Sequence, residues 1–252
     1  MTDQKPDAVD TQHRQRRTDH LGRAYKGSQR QIQIAVARRT EELSKAIRTQ
    51  LRCPDGTQLV WKSPLEKEEF KEYRDESFLE AVNLKGSAPK LAEFWPSRGG
   101  PHWDGLAILE ENGETTGIVL VEAKSYPLEM YGPGCNAKLK SESRKLIERS
   151  TKVAKDWFHA DSSGDCDWLG PYYQFANRLS HIYFLRERAG IDAWLVNLCF
   201  VNDETRHPTS KEVWKTGLEL AKKKLGLKDE VINKYVADVF LDASKLLWPP
   251  TT

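Results

Sequence analysis

The 252-residue chain is long enough for one substantial domain with additions, or two modest ones, and for a real buried core. Its 39 Lys plus Arg against 37 Asp plus Glu leave a net charge of +2, which excludes a uniformly basic, histone-like protein. Cysteines at 53, 135, 166 and 199 form no C-x-x-C pair, and no stretch approaches the ~20 apolar residues that cross a bilayer, so a disulfide scaffold, a cysteine-rich zinc site and a membrane span are not expected.

The charge is uneven along the chain: residues 1–52 hold 12 Lys/Arg and 6 Asp/Glu, hence +6, and the remainder carries −4. Residues 1–28 are polar, with isolated apolar side chains and no period, and are expected to form a flexible basic arm. The start lacks a secretory leader, and the mean hydropathy is −0.67, which together predict an intracellular, cytoplasmic protein with reduced thiols and no membrane partner. From Gln29 to about Leu51, Ile32, Val36, Leu43 and Ile47 recur at near-helical spacing and predict one amphipathic helix. Its basic positions Arg38, Arg39, Lys45 and Arg48 suit either a solvated face or a nucleic-acid contact. Helix and turn together make up residues 29–57, ahead of a main domain over 58–252.

Gln58 to Lys62 reads as a short strand, and a helix follows from Ser63 or Pro64 through EKEEFKEYRDESFLEAVNL to Gly86. Next come a strand at Leu91–Trp95, the loop PSRGGPH, a strand Trp103–Leu109, the turn EENGETTG and a strand Ile118–Ser125. Asn112-Gly113 is the strongest short hairpin signal available. Both arms are apolar on both faces, which predicts a sheet covered by helices above and below. A long helix over about 137–158 follows, then one opened by Pro171, with Phe175, Leu179, Ile182 and Leu185 on one stripe and Gln174, Asn177, Arg178 and His181 on another. A buried-type strand at 193–201, a basic helix at 210–226 and a last strand at 236–241 complete the chain.

Asp104 and Glu122-Ala123-Lys124 carry the chemistry. Side chains alternate along a strand, so Glu122 and Lys124 share a face while Ala123 packs beneath. Asp104 sits opposite Glu122 only if the hairpin holds an odd-length loop or a bulge, because a strict two-residue turn pairs Asp104 with Val121. Two hard carboxylate ligands plus waters suit Mg²⁺, and a cation so held favours hydrolysis of a phosphodiester. Lys124 would support the developing charge, or help deprotonate water if its pKa were lowered.

Residues 66 to 125, a helix, then W-D-G-L-A-I-L, a hairpin, and G-I-V-L-V-E-A-K-S, resemble the PD-(D/E)XK, or restriction-endonuclease-like, nuclease superfamily. The resemblance implies an α/β fold with a central mixed sheet flanked by helices. It also implies Mg²⁺- or Mn²⁺-dependent cleavage of nucleic acid, DNA rather than RNA, in settings such as restriction, repair or defence. Residue by residue, Asp104 matches the metal-binding Asp, Glu122 the second metal carboxylate, Lys124 the catalytic lysine, and the Ala123 carbonyl a further metal ligand. Glu80, or else Glu76, matches the helical acid, and Gln174 is similar to a glutamine some members place near the site. Trp103 stands where the family often has Pro. A homo-oligomer or a partner protein is compatible with cutting two strands. The alternative is a catalytically inactive nucleic-acid-binding or assembly protein with the same fold.

The six histidines have no metal-ligand spacing. Arg98 and His102, in the loop before Asp104, suit phosphate contact or plain loop structure. Tyr126, Tyr131, Tyr172 and Tyr173 suit base stacking or packing.

Overall fold

The structure is a computed structural model that describes residues 17–161 and 166–248. Five strands form one mixed sheet in the order β1 (Gln58–Ser63), β2 (Gly105–Glu111), β3 (Glu114–Lys124), β4 (Ala193–Val201) and β5 (Val236–Asp242). β1, β2 and β3 are antiparallel neighbours, whereas β3, β4 and β5 run parallel. Parallel neighbours need a crossover. Helices α5 (Glu142–Trp157) and α6 (Tyr173–Tyr183) supply it between β3 and β4, and α7 (Lys211–Lys224) and α8 (Asp229–Ile232) between β4 and β5. The protein is therefore α/β with helices on both faces of the sheet, as its doubly apolar strands require.

On one face Leu106, Ile108, Ile118, Leu120 and Leu195 pack with Phe175, Leu179 and Ile182 of α6. Phe78 and Leu79 of α3 (Asp75–Ala81) and Phe94 of α4 (Ala88–Phe94) complete that layer. On the other, Ala107, Leu109, Val119, Val121, Val196 and Leu198 meet α1 (Gly27–Arg38) through Ile32, Ile34 and Val36, and α2 (Thr40–Leu51) through Leu43 and Ile47.

Several elements differ from the sequence expectation. The single helix over Gln29–Leu51 is two, broken at Arg39 with φ −131 and ψ 30. Val36 and Leu43 are seven residues apart, which one continuous helix also satisfies, so periodicity conceals the break. The arm expected over 1–28 is described from Arg17 onward, and residues 1–16 lie outside the described residues. From Arg17 the chain lies on the body: Ala24 is buried, its N–H donates to Gln33 Oε1 at 2.8 Å, and Gln33 Nε2 donates to the Gly22 carbonyl at 3.1 Å. Gly22 holds φ +77, and a Cβ there would stand 2.2 Å from the Glu69 carbonyl oxygen, so the close approach needs glycine.

The long helix expected from Pro64 to Gly86 is reduced to a 3-10 turn at Glu66–Glu68, α3 and a 3-10 turn at Lys85–Ser87. Glu69 and Phe70 adopt φ of 53 and 56, and Tyr73 forms a β-bridge with Trp103 instead of continuing a helix. Leu91–Trp95 belongs chiefly to α4, where Leu91 and Phe94 bury together at helical i, i+3 spacing. α5 starts at Glu142, capped by Ser141 Oγ accepting from the Arg144 N–H at 3.1 Å, and α6 runs into a π-turn at Phe184–Arg188. β4, α7 and β5 lie where the sequence places them. Among the described residues no helix is long and apolar enough to cross a membrane.

Candidate active site

The β2–β3 hairpin turns on Asn112 and Gly113, whose φ values of 53 and 83 give the two-residue primed turn that this dipeptide favours. Next to the turn the register is that of a strict two-residue loop, with Glu111 opposite Glu114 and Glu110 opposite Thr115. A bulge then intervenes: Leu109 pairs with Gly117, and Thr116 is the extra residue. From there Ile108 faces Ile118, Leu106 faces Leu120 and Gly105 faces Val121, so the next step puts Asp104 opposite Glu122. Its carboxylate is fixed there by the Ala123 N–H, which donates to Oδ2 at 2.7 Å.

The parallel register continues the row. Glu122 lies beside Asn197 of β4, which lies beside Asp238 of β5. A polar line of Asp104, Glu122, Asn197 and Asp238 thus crosses four strands just beyond the apolar line of Leu106, Leu120, Leu195 and Val236. Asn197 Nδ2 donates to Asp238 Oδ1 at 2.8 Å, and Lys222 of α7 reaches Asp238 Oδ2 at 2.7 Å.

Glu122 is only 8% exposed and holds two cations. Lys124 Nζ pairs with Oε1, and Arg178 from α6 brings Nε and Nη2 to Oε2 at 2.7 Å each. Arg178 is itself oriented by carbonyls, with Nη1 donating to Gln174 O and Nη2 to His102 O, both at 3.3 Å. Burial alone would raise the Glu122 carboxyl, but Arg178 and Lys124 outweigh it and hold the group below the usual carboxylate range. Burial would likewise lower Lys124, yet Glu122 and Asp104 outweigh it and keep the ammonium charged. Asp104 has no cation of its own at contact distance, so burial and then the Glu122 charge push its carboxyl up to about 7. The Ala123 N–H and Lys124 offset only part of that rise.

The structure brings Asp104, Glu122 and Lys124 together as the sequence anticipates. Gln174 is exposed at the start of α6 and lines, with Glu122, Lys124, Arg178 and Asn197, a narrow cavity of about 20 Å³, room for about one water. Glu80 is elsewhere: it is exposed on α3 and its Oε1 pairs with Lys85 at 3.0 Å. Glu76 is also exposed on that helix. The acid that senses the cluster is Glu72, whose carboxyl is raised by burial and by Glu122, and which accepts from Gln29 Nε2 of α1 at 3.0 Å. The sequence reading missed it because it expected a helix there, in which Glu72 is one of many solvated acids. Arg178 was legible only as part of a polar stripe on α6; its place opposite the acid-x-Lys strand depends on a crossover that no local pattern specifies. His181 on the same stripe is a core residue, boxed by Phe78, Trp95 and Trp103, with burial pushing its imidazole down to about 4.

Among the described residues no group of three or more His, Cys, Asp and Glu side chains is disposed to hold a metal ion. The donor chemistry nevertheless suits a hard cation: Asp104 and Glu72 are both raised by burial and then by the charge of Glu122, a repulsion that a divalent ion would relieve. Asp104 and Glu122 would hold it, and Glu122 would have to loosen its pairing with Lys124 or Arg178 to do so. Ala123 contacts Asp104 through its N–H, and its side chain packs in the opposite layer. Comparison with family models, with curated proteins and with solved structures finds no match for this chain.

Proposed function

We propose that the protein is a divalent-metal-dependent nuclease that hydrolyses phosphodiester bonds in DNA, with Asp104, Glu122 and Lys124 at its centre. The observation that carries this reading is the Thr116 bulge, which turns Asp104 onto the face of Glu122 and Lys124, at the end of the polar line that continues through Asn197 and Asp238. Bulges recur beside active sites, where they re-aim a side chain. The mixed sheet, with the acid-x-Lys strand at its centre and helices on both faces, supports a restriction-endonuclease-like core.

Asp104 and Glu122 would hold a Mg²⁺ or Mn²⁺ ion, which would neutralise phosphoryl charge and lower the pKa of a water. Lys124 stays an ammonium beside these carboxylates, so its task is to stabilise charge on the reacting phosphate rather than to take a proton. Arg178 is a positioning residue that orients Glu122. A second copy or a partner protein would be one route to cutting both strands of a duplex.

A second reading, a nucleic-acid-binding or assembly protein without catalysis, is favoured by one observation: Arg178 and Lys124 already engage both oxygens of Glu122. Incubating wild type and Lys124→Ala with linear, circular and single-stranded DNA and with RNA, in Mg²⁺, Mn²⁺ or EDTA, separates the two. Cleavage of DNA that needs metal and falls at least ~10²-fold in the variant is expected. Absence of cleavage on every substrate, together with melting unchanged by either metal, would leave the binding reading.

A further inference from the structure

An open groove of about 570 Å³ adjoins the candidate active site, between the loop that follows β3 and the start of α6. Gln174 lies on its wall and also lines the cavity of Glu122, Lys124 and Arg178, so the groove borders on the acid–lysine cluster. Arg98 and Lys138 stand on its sides, both exposed, and among the described residues neither forms an ion pair. Among the described residues no aspartate or glutamate lines it, although the chain holds 37 of them. Tyr173 belongs to the wall. Tyr131, next to the lining residue Gly132, is 59% exposed and meets the Tyr172 ring edge-on at 5.7 Å between centroids.

Cations along a groove with one aromatic, Tyr173, on its wall and an exposed one, Tyr131, next to the lining residue Gly132 are the pairing by which proteins track a single strand: charge for the phosphates, a ring face for a base. The volume falls in the range of a small-ligand site, a size that suits individual nucleotides of a strand. We infer that this groove binds an unpaired DNA strand, with phosphates on Arg98 and Lys138 and a base on Tyr131, and leads it past Gln174 to Glu122 and Lys124. The substrate class is then single-stranded DNA, or duplex with an unpaired tail. Only the cutting of that strand rests on the nuclease reading; its binding does not.

Fluorescence anisotropy in EDTA tests the binding, with a short labelled oligothymidylate, an oligouridylate and a blunt duplex as probes. Wild type should bind the oligothymidylate most tightly. The Arg98→Glu, Lys138→Glu double variant should retain its melting temperature, since neither side chain is packed or paired. Each lost phosphate contact should flatten the dependence of log affinity on log salt by about 0.7. Tyr131→Ala should weaken binding about fivefold or more. Equal affinity for the blunt duplex, a tighter grip on oligouridylate, or variants that bind as wild type would overturn the inference. Metal-dependent cleavage that proceeds unchanged in the groove variants would sink the groove and spare the nuclease, whereas groove-dependent binding without any cleavage would do the reverse.

Discussion

Burial and Glu122 together raise the Asp104 carboxyl from an ordinary 3.8 to about 7, which makes Asp104 a source of instability near neutral pH. Between those values the folded chain keeps a proton that the unfolded chain has released. The stability this group contributes is therefore full below 3.8 and is lost as pH rises through about 7. Glu122, held below its ordinary range, works in the opposite sense, its contribution being lost as pH falls. Asp104→Asn can still accept from the Ala123 N–H while shedding the charge. It should melt with wild type near pH 4, pull ahead as wild type loses stability toward pH 7, and exceed wild type by ~1–3 kcal/mol at about pH 8 in EDTA. Thermal melts across that range check this, and equal melting of the two proteins at pH 8 would contradict the assigned electrostatics. Asp104, Glu122 and Lys124 were legible because strand alternation is a local rule. Glu72 and Arg178 were not, since a loop and a crossover bring them in from other parts of the chain.

At the level of elements, the hairpin states a conflict and resolves it. Asn112-Gly113 demands one register, and the site demands another that differs by a single residue; Thr116 absorbs the difference. The sequence exposed the need for such a device without saying where it sits, because β2 and β3 are apolar on both faces and tolerate either alternation on paper. Deleting Thr116 would extend the turn's register along the hairpin and set Asp104 against Val121, on the wrong face. The outcome should be loss of any metal-dependent rise in melting temperature and a cost of ~3 kcal/mol or more, because Leu106 and Ile108 would exchange layers with Ala107 and Leu109. Thr116→Ala keeps the residue count and should keep both properties. A deletion variant that retains its metal response would show that the bulge does not set the site. The helix boundaries were less legible, as Leu91–Trp95 illustrates: five residues with three buried apolar side chains suit a strand or a helical turn, and packing decides.

Across the whole molecule, α1 and α2 form most of the cover on one face of the sheet, although their sequence sets them apart from the 58–252 region by charge and by the turn at Cys53–Gly56. They also reach the candidate site: Gln29 bonds Glu72, and Gln31 Nε2 donates at 2.7 Å to the buried Asp203, which accepts from Ser125 Oγ at 2.5 Å, one residue beyond Lys124. Periodicity could show that these helices bury a stripe, but not against what, because the partner face lies far along the chain. Ile32, Ile34, Val36, Leu43 and Ile47 are almost fully buried, and at ~1.5–3 kcal/mol each their burial is worth of order 10 kcal/mol. That rivals the ~5–15 kcal/mol net stability of a typical domain. A fragment of residues 53–252 should therefore fail to unfold cooperatively and should aggregate, its Val119, Val121 and Leu198 laid open to water. Supplying residues 17–52 as a separate peptide should restore a cooperative melt and solubility, since the lost contacts are non-covalent. A fragment that melts cooperatively within a few degrees of the full chain would instead show that the 58–252 region folds as a unit, with the two helices as an addition to it.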